Sequence, residues 1–204
     1  MDNGNHIGLI STDLSKAFDT LSHDLLLSKL ERMGIGRPAV SWFQSYLSDR
    51  FQRVKLGDFT SSEARVEAGV PQGSVLGPVL FIAFTSDFHK SLKDCKVTSY
   101  ADDTQLLVNA NTIEELKIKI ETTIRDAQNW YENNSLKINP TKTEVVIFGK
   151  RRNDQQNINI KITEGSNISY IQNVQKLKIL GVIMDENLLE AEHQVCEVKD
   201  VSHN

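Results

Sequence analysis

The chain has 204 residues, 39% of them hydrophobic and 25% charged, which describes a globular protein with room for one domain or one domain and part of another. Its 23 Lys and Arg stand against 27 Asp and Glu, so the net charge of −4 carries no overall basic signature for nucleic acid, although such footprints are local. Two cysteines exclude a disulfide framework and a cysteine-rich zinc site, and with neither a bilayer-spanning apolar run nor a signal segment, an intracellular protein is expected.

Residues 7–13, Ile-Gly-Leu-Ile-Ser-Thr-Asp, read as a short buried strand ending on a carboxylate, Asp13. That carboxylate is either a turn former or helix cap, or a ligand delivered to a site. A helix is expected from about residue 22, with Leu25, Leu26, Leu30 and Met33 on its apolar side and Gly34 as its stop. A second should run over residues 38–47 and bury Val40, Trp42, Phe43, Tyr46 and Leu47. Residues 50–56 alternate basic or polar with apolar side chains, as a half-exposed strand does, and residues 60–68 can return as its partner. Arg50, Arg53, Lys55 and Arg65 make this the most basic local patch, equally readable as a solvated strand face.

Gly69-Val70-Pro71-Gln72-Gly73-Ser74 is a loop entering an apolar helix over residues 75–84, with Pro78 in its first turn. Such a loop offers backbone N–H groups to phosphate or sugar oxygens, and Gln72 adds a side-chain donor and acceptor; a plain loop-to-helix junction would look the same. Ser99-Tyr100-Ala101-Asp102-Asp103-Thr104 sits between two β-prone runs and reads as a tight hairpin with both aspartates at or beside its turn. Two adjacent carboxylates are costly unless a cation neutralises them, yet aspartate is also an ordinary turn residue.

Ile113, Leu116, Ile120, Ile124, Ala127 and Trp130 recur at spacings of three and four, with Thr112 as N-cap, and predict a core helix lying across a sheet with no chemistry of its own. Asn133-Asn134 ends it. Leu136-Lys137-Ile138-Asn139, then Lys142-Thr143, lead into a strand over residues 145–148, closed by Gly149. A polar connection over residues 150–157 precedes short strands at about 158–162, 168–171 and 177–184, and residues 186–204 read as a loose tail.

Four of these stretches, in this order, resemble the reverse transcriptase domain of non-LTR, LINE-like retrotransposons of the jockey type. Asp13-Leu14-Ser15-Lys16-Ala17-Phe18-Asp19 is similar to the family's first catalytic motif, and Gly69-Val70-Pro71-Gln72-Gly73-Ser74-Val75-Leu76-Gly77-Pro78 to its second. Tyr100-Ala101-Asp102-Asp103 is similar to the third, and Leu136-Lys137-Ile138-Asn139 with Lys142-Thr143 to the fourth. Leu180-Gly181-Val182, running on to Asp185, resembles the segment that grips the primer.

The resemblance implies an α+β fold, a polymerase palm of antiparallel sheet backed by helices with fingers and thumb largely missing. Residues 1–185 would form a partial reverse transcriptase domain, palm with partial fingers. It implies an RNA-directed DNA polymerase working on an RNA template, a DNA primer and dNTPs with two Mg²⁺ ions, Mn²⁺ being able to substitute, about 3.5–4 Å apart. Asp13, Asp102 and Asp103 would be catalytic and hold the metal with the Leu14 carbonyl. Lys142 would supply a proton or charge to the pyrophosphate, though a surface lysine before a strand reads as well. Phe18, Pro71, Gln72 and Gly73 would line the nucleotide site, Phe18 closing against the sugar, and Leu180 and Gly181 would form the primer grip. The chain departs from the family where basic finger residues, the thumb, the endonuclease and a tryptophan after Asp185 are expected, so a truncated copy is implied. Two alternatives stay open: an inactive remnant or co-opted nucleic-acid-binding module, and an unrelated Mg²⁺-dependent phosphoryl-transfer enzyme, which would need neither Phe18 nor the Gln72 loop.

Overall fold

The structure, a computed structural model, describes residues 6–149, 160–164 and 167–186. Strand β1 (His6–Thr12) leads through a single 3-10 turn at Ala17–Asp19 to helices α1 (His23–Arg32) and α2 (Arg37–Leu47). An irregular arm follows, made of β2 (Phe51–Gln52), β3 (Lys55–Leu56), β4 (Phe59–Thr60) and β5 (Ala64–Arg65), and then α3 (Leu76–Thr85). The hairpin of β6 (Lys96–Tyr100) and β7 (Asp103–Ala110) precedes the long α4 (Ile113–Asn133) and β8 (Glu144–Phe148). Four further strands are described: β9 (Ile160–Glu164), β10 (Asn167–Asn173), β11 (Lys176–Ile179) and β12 (Val182–Asp185).

Six strands form one sheet in the order β6-β7-β1-β8-β10-β9, antiparallel throughout except for the β8–β10 pair. The mixed arrangement of antiparallel sheet and helices is the α+β fold class expected. Strand β1 lies inside the sheet, so both its faces must be covered, and its near-continuous apolar run suits that place. Successive side chains of a strand point to opposite faces. Ile10 joins the main core with Leu116, Ile120 and Ile124 of α4, while Leu9 joins a second cluster with Val146, Phe148 and Leu177.

Helix α4 forms where the spacing of its apolar residues predicts, and Thr112 Oγ1 caps it by accepting the Glu115 N–H at 3.1 Å. It approaches β1 closely because residue 8 is glycine; a Cβ there would stand 2.8 Å from Ile120. Helix α1 is pinned to the end of α3 by a buried lysine. Lys29 Nζ donates to the Phe84 carbonyl and to Asp87 Oδ1, both at 2.7 Å, and lies over the Phe84 and Trp130 rings. Burial pushes its ammonium below the usual lysine range, and the Asp87 contact opposes that shift. Among the described residues no helix is long and apolar enough to cross a membrane.

Several expectations are corrected. Residues 177–184 do not make one strand; they fold back as the β11–β12 hairpin, because Leu180 and Gly181 take φ of 48° and 87° and turn the chain. Helix α2 buries Val40 and Leu47 but leaves Trp42 55% exposed, with Phe43 and Tyr46 half-buried. Helix α2 packs on α1 along one side only, so Trp42 turns outward and stacks on Tyr46 at 5.7 Å. Met33 is likewise exposed. The run 50–56 is broken into β2 and β3, and residues 51–65 are exposed throughout. The polar connection, the start of the strand expected at residue 158 and the tail beyond Glu186 lie outside the described residues.

Candidate active site

The β1–β7 ladder ends on Thr12 opposite Thr104, and one further step sets Asp13 opposite Asp103. On the other side β1 pairs with β8 as far as Ser11 opposite Glu144, and continuing that register two steps sets Asp13 opposite Lys142. The side chains agree with the register: Lys142 Nζ stands 3.6 Å from Asp13 Oδ2, with Asp13 31% and Lys142 67% exposed. Asp13 is further tied by its carbonyl, which accepts the Asn139 N–H at 2.8 Å, while the Ser15 N–H donates to the Lys137 carbonyl at 2.9 Å. An isolated bridge between Leu14 and Ile138 completes this seam, so the first and fourth motifs are joined directly. Leu14 itself is buried.

Asp102 and Asp103 occupy the hairpin as expected, Asp102 half-buried in its two-residue turn and Asp103 exposed at the head of β7. Ala101, the first turn residue, takes φ 53°, the positive value that primed hairpin turns require there. The Asp103 carboxyl is held above its ordinary range, first by burial and then by the charges of Asp102 and Asp13. Asp102 and Asp13 thus both act on Asp103 at the end of the sheet, with the Lys142 ammonium beside Asp13. In kind the carboxylates suit a hard divalent cation. Among the described residues, however, no three Asp, Glu, His or Cys side chains converge closely enough to hold a metal. Like charges with a single counter-charge have no reason to converge further by themselves.

The second motif is welded to the first. The Val70 N–H donates to the Phe18 carbonyl and the Gly69 N–H to the Leu21 carbonyl, both at 2.8 Å. Gly69 takes φ +86°, and a Cβ there would lie 2.7 Å from the Asp19 backbone, so only glycine allows this approach. Gln72 Nε2 donates to Asp19 Oδ1 at 2.8 Å, which orients the amide. The Phe18 ring stacks on Phe81 at 4.7 Å, and Gly73 is exposed at φ +74° before α3. Ser74 starts α3 by donating to the Pro71 carbonyl and accepting the Gly77 N–H. A cavity of about 740 Å³ opens here, with Lys16, Asp19, Arg50, Pro71 and Gln72 on its walls.

Leu180 and Gly181 form the β11–β12 turn. That hairpin packs through Leu177, Ile179 and Met184 on the sheet face of Leu9, the face to which alternation also assigns Asp13. Backbone strain marks the same places. Of the non-glycine residues at positive φ, Asp49, Asp94 and Ser135 are ordinary turn types, whereas Lys16, Ala101 and Leu180 are not, and each belongs to a segment singled out in the sequence.

The basic patch is largely spent within itself. Arg53 pairs with Glu63 at 3.4 Å, Arg65 with Asp49 at 3.2 Å, and Arg50 lies over the Tyr46 ring. What the sequence did not reveal is a set of buried hydroxyls beneath the carboxylates. Thr12 Oγ1 donates to the Thr104 carbonyl at 3.2 Å, and Tyr131 of α4 is buried close to both threonines, where burial pushes its phenol up to about 12. Helical spacing marks position 131 only as a flank of the core; nothing local says where its hydroxyl ends.

A model of the family described as reverse transcriptase (RNA-dependent DNA polymerase) matches residues 1–184. The RNA-directed DNA polymerase from mobile element jockey of Drosophila melanogaster is 31% identical over 188 residues, 89% of this chain and 20% of that protein. The polymerase of the same name from Drosophila funebris is 29% identical over 195 residues, 92% of this chain and 20% of that protein. The chain thus spans about a fifth of the length of these relatives. In fold it is similar to telomerase from Candida albicans, solved with a fragment of telomeric RNA. The TM-score is 0.63 and the identity 14%, over 97% of this chain and 32% of that one.

Proposed function

Because the chain belongs to the reverse transcriptase family, alongside the RNA-directed DNA polymerases of jockey and other non-LTR retrotransposons, we propose that it is the palm of such a polymerase, with its catalytic centre at Asp13, Asp102 and Asp103. The observation that carries this reading is the meeting of Asp13 with the Asp102–Asp103 turn at one end of the β1–β7 pair, with Lys142 beside them. When bound, two divalent cations, Mg²⁺ or Mn²⁺, supply the charge that stabilises the attacking 3′-oxygen and the leaving pyrophosphate. Asp13, Asp102, Asp103 and the Leu14 carbonyl offer the oxygen donors. Lys142 balances Asp13 and, being mostly exposed, can turn to give the pyrophosphate a proton or a positive charge.

The remaining roles follow the same seam. Phe18, propped by Phe81, is placed to close against the sugar of a dNTP and reject a 2′-hydroxyl. Pro71, Gln72 and Gly73 line the nucleotide site, and Lys16 and Arg50 bring positive charge to the cavity for phosphate or template. The Leu180–Gly181 turn is the candidate grip on the DNA primer as the RNA template is copied. Residues 1–185 act in this reading as one polymerase module.

The test is extension of a DNA primer on an RNA template by the purified chain, beside Asp102→Ala. Extension by the parent that falls at least about a thousandfold in the variant supports a working polymerase. One observation favours a second reading, a nucleic-acid-binding module without turnover: the three carboxylates are not drawn onto a common point among the described residues. Template binding without extension, unchanged in Asp102→Ala, would establish that reading.

A further inference from the structure

Helix α2 turns a row of planar groups outward. Trp42 and Tyr46 stand four residues apart on one face, and Arg50 follows four residues later, just past the helix end. The Trp42 and Tyr46 rings lie 5.7 Å apart and within 10° of parallel, and the Arg50 guanidinium lies 4.9 Å from the Tyr46 ring centre. Arg50 Nε also donates to the Tyr46 carbonyl at 2.9 Å, which ties the guanidinium to the helix end. At that end of the row Arg50 enters the wall of the cavity of about 740 Å³, together with Phe51, Lys16 and Gln72. At the other end Trp42 is open to solvent.

We propose that Trp42 is a stacking platform for a base of single-stranded nucleic acid, with Arg50 and Lys16 meeting the phosphates of that strand as it runs toward the Gln72 loop. The strand is the unpaired template, an assignment that rests on the polymerase reading above.

Three features favour a nucleic acid over a protein surface as the occupant. Single-strand sites combine cations along a groove with rings on which bases stack, and this row supplies both. Residues 37–66 hold five basic and three acidic side chains, a net +2 within a chain of net −4, so a polyanion is drawn to this part of the molecule. The Arg53–Glu63 and Arg65–Asp49 pairs are exposed and weak enough to open to phosphate, and among the described residues Lys16 and Arg50 have no carboxylate partner. A protein interface is built around a broad apolar centre, whereas Trp42 alone among the large hydrophobic side chains of α2 is left exposed. Tyr46 already holds the Trp42 ring in place, so a base that stacks on it costs little further ordering.

The experiment titrates an unstructured oligouridine of about twelve nucleotides, within the ~4–16 of common single-strand sites, onto the whole chain. EDTA in the buffer keeps any cation site out of the measurement, and affinity is read by fluorescence anisotropy beside tryptophan emission. Binding should quench the emission of the parent, and the ring reporting it is Trp42, since Trp130 is only 9% exposed. Trp42→Leu should keep its Tm and bind about tenfold more weakly, whereas Trp42→Phe should stay within about threefold of the parent and lose the quench. An abasic oligomer of the same length should bind the parent and Trp42→Leu alike, because without a base the ring has no partner. Equal affinity of the parent and Trp42→Leu for oligouridine overturns the platform, as does an abasic oligomer that binds the parent as well as oligouridine does. A parent that binds no tighter than ~100 μM, the weak limit of non-specific binding, overturns it too. If Trp42→Leu instead converts a sedimenting dimer to a monomer with oligouridine affinity unchanged, the face joins two copies of the chain and the proposal falls. Primer extension judges the polymerase reading separately: a parent that binds through Trp42 and never extends keeps the platform and loses the polymerase.

Discussion

The sheet end that carries the carboxylates and the arm at residues 50–66 are built on opposite plans. Beneath Asp13 and Asp103 lie Thr12, Thr104 and Tyr131, all buried, within a six-stranded sheet backed by a helix of 21 residues. The arm is held by two ladders of two residue pairs each, and Val54, Leu56 and Phe59 stand more than two-thirds exposed on it. Its ion pairs join exposed groups and are worth little. Where groups must be placed to a fraction of an ångström, the chain surrounds them with close-packed neighbours that resist displacement. Where it only offers surface, local hydrogen bonds suffice.

That contrast can be broken by substitution. Ile10 is completely buried in β1 beneath α4, so Ile10→Ala should cost about 2–5 kcal/mol in equilibrium urea unfolding. A smaller loss would mean that the sheet end is softer than its packing indicates. Gly69→Ala forces a Cβ against the Asp19 backbone at positive φ and should cost about 1–3 kcal/mol, loosening the Gln72 loop, which proteolysis near residue 72 would detect.

Asp103→Asn should act in the other direction. The folded chain holds this proton more tightly than the unfolded chain, whose value is near 3.8, so stability falls as pH rises from there through the higher folded value. In metal-free buffer at pH 7 the variant should be more stable by up to about 0.5 kcal/mol, a small gain because the group is exposed and screened. The gain should vanish below pH 3.8; a loss of stability at pH 7 would refute the repulsion. Phe59→Ser, at the exposed tip of the arm, should leave Tm where it is. A marked drop would show that the arm is folded onto something.

Much of this was legible in the chain. The core helix over residues 113–133 declares itself by apolar spacing and its Thr112 cap, and the Asp102–Asp103 hairpin by turn chemistry between β-prone runs. Helix α2 is read only in part because its aromatic residues are hydrophobic whether or not another element covers them, and Trp42 meets Phe43 and Tyr46 of its own helix and stays 55% exposed. The β11–β12 turn was missed because Leu180 gives no sign of a positive φ; leucine there is held by the hairpin around it.

What the sequence determined by itself was the inventory and the family: the carboxylates, the glycine-bearing loop, the lysine segment and their order along the chain. Those depend on residue type and local periodicity, which are properties of short stretches. Only the tertiary structure decided that Asp13 lies opposite Asp103 on one side and Lys142 on the other, since strand register sums many distant pairings. Only it brought Tyr131, far along the chain, under Thr12 and Thr104. A buried hydroxyl acts over one hydrogen bond, and which groups lie within that reach is settled by how the chain packs.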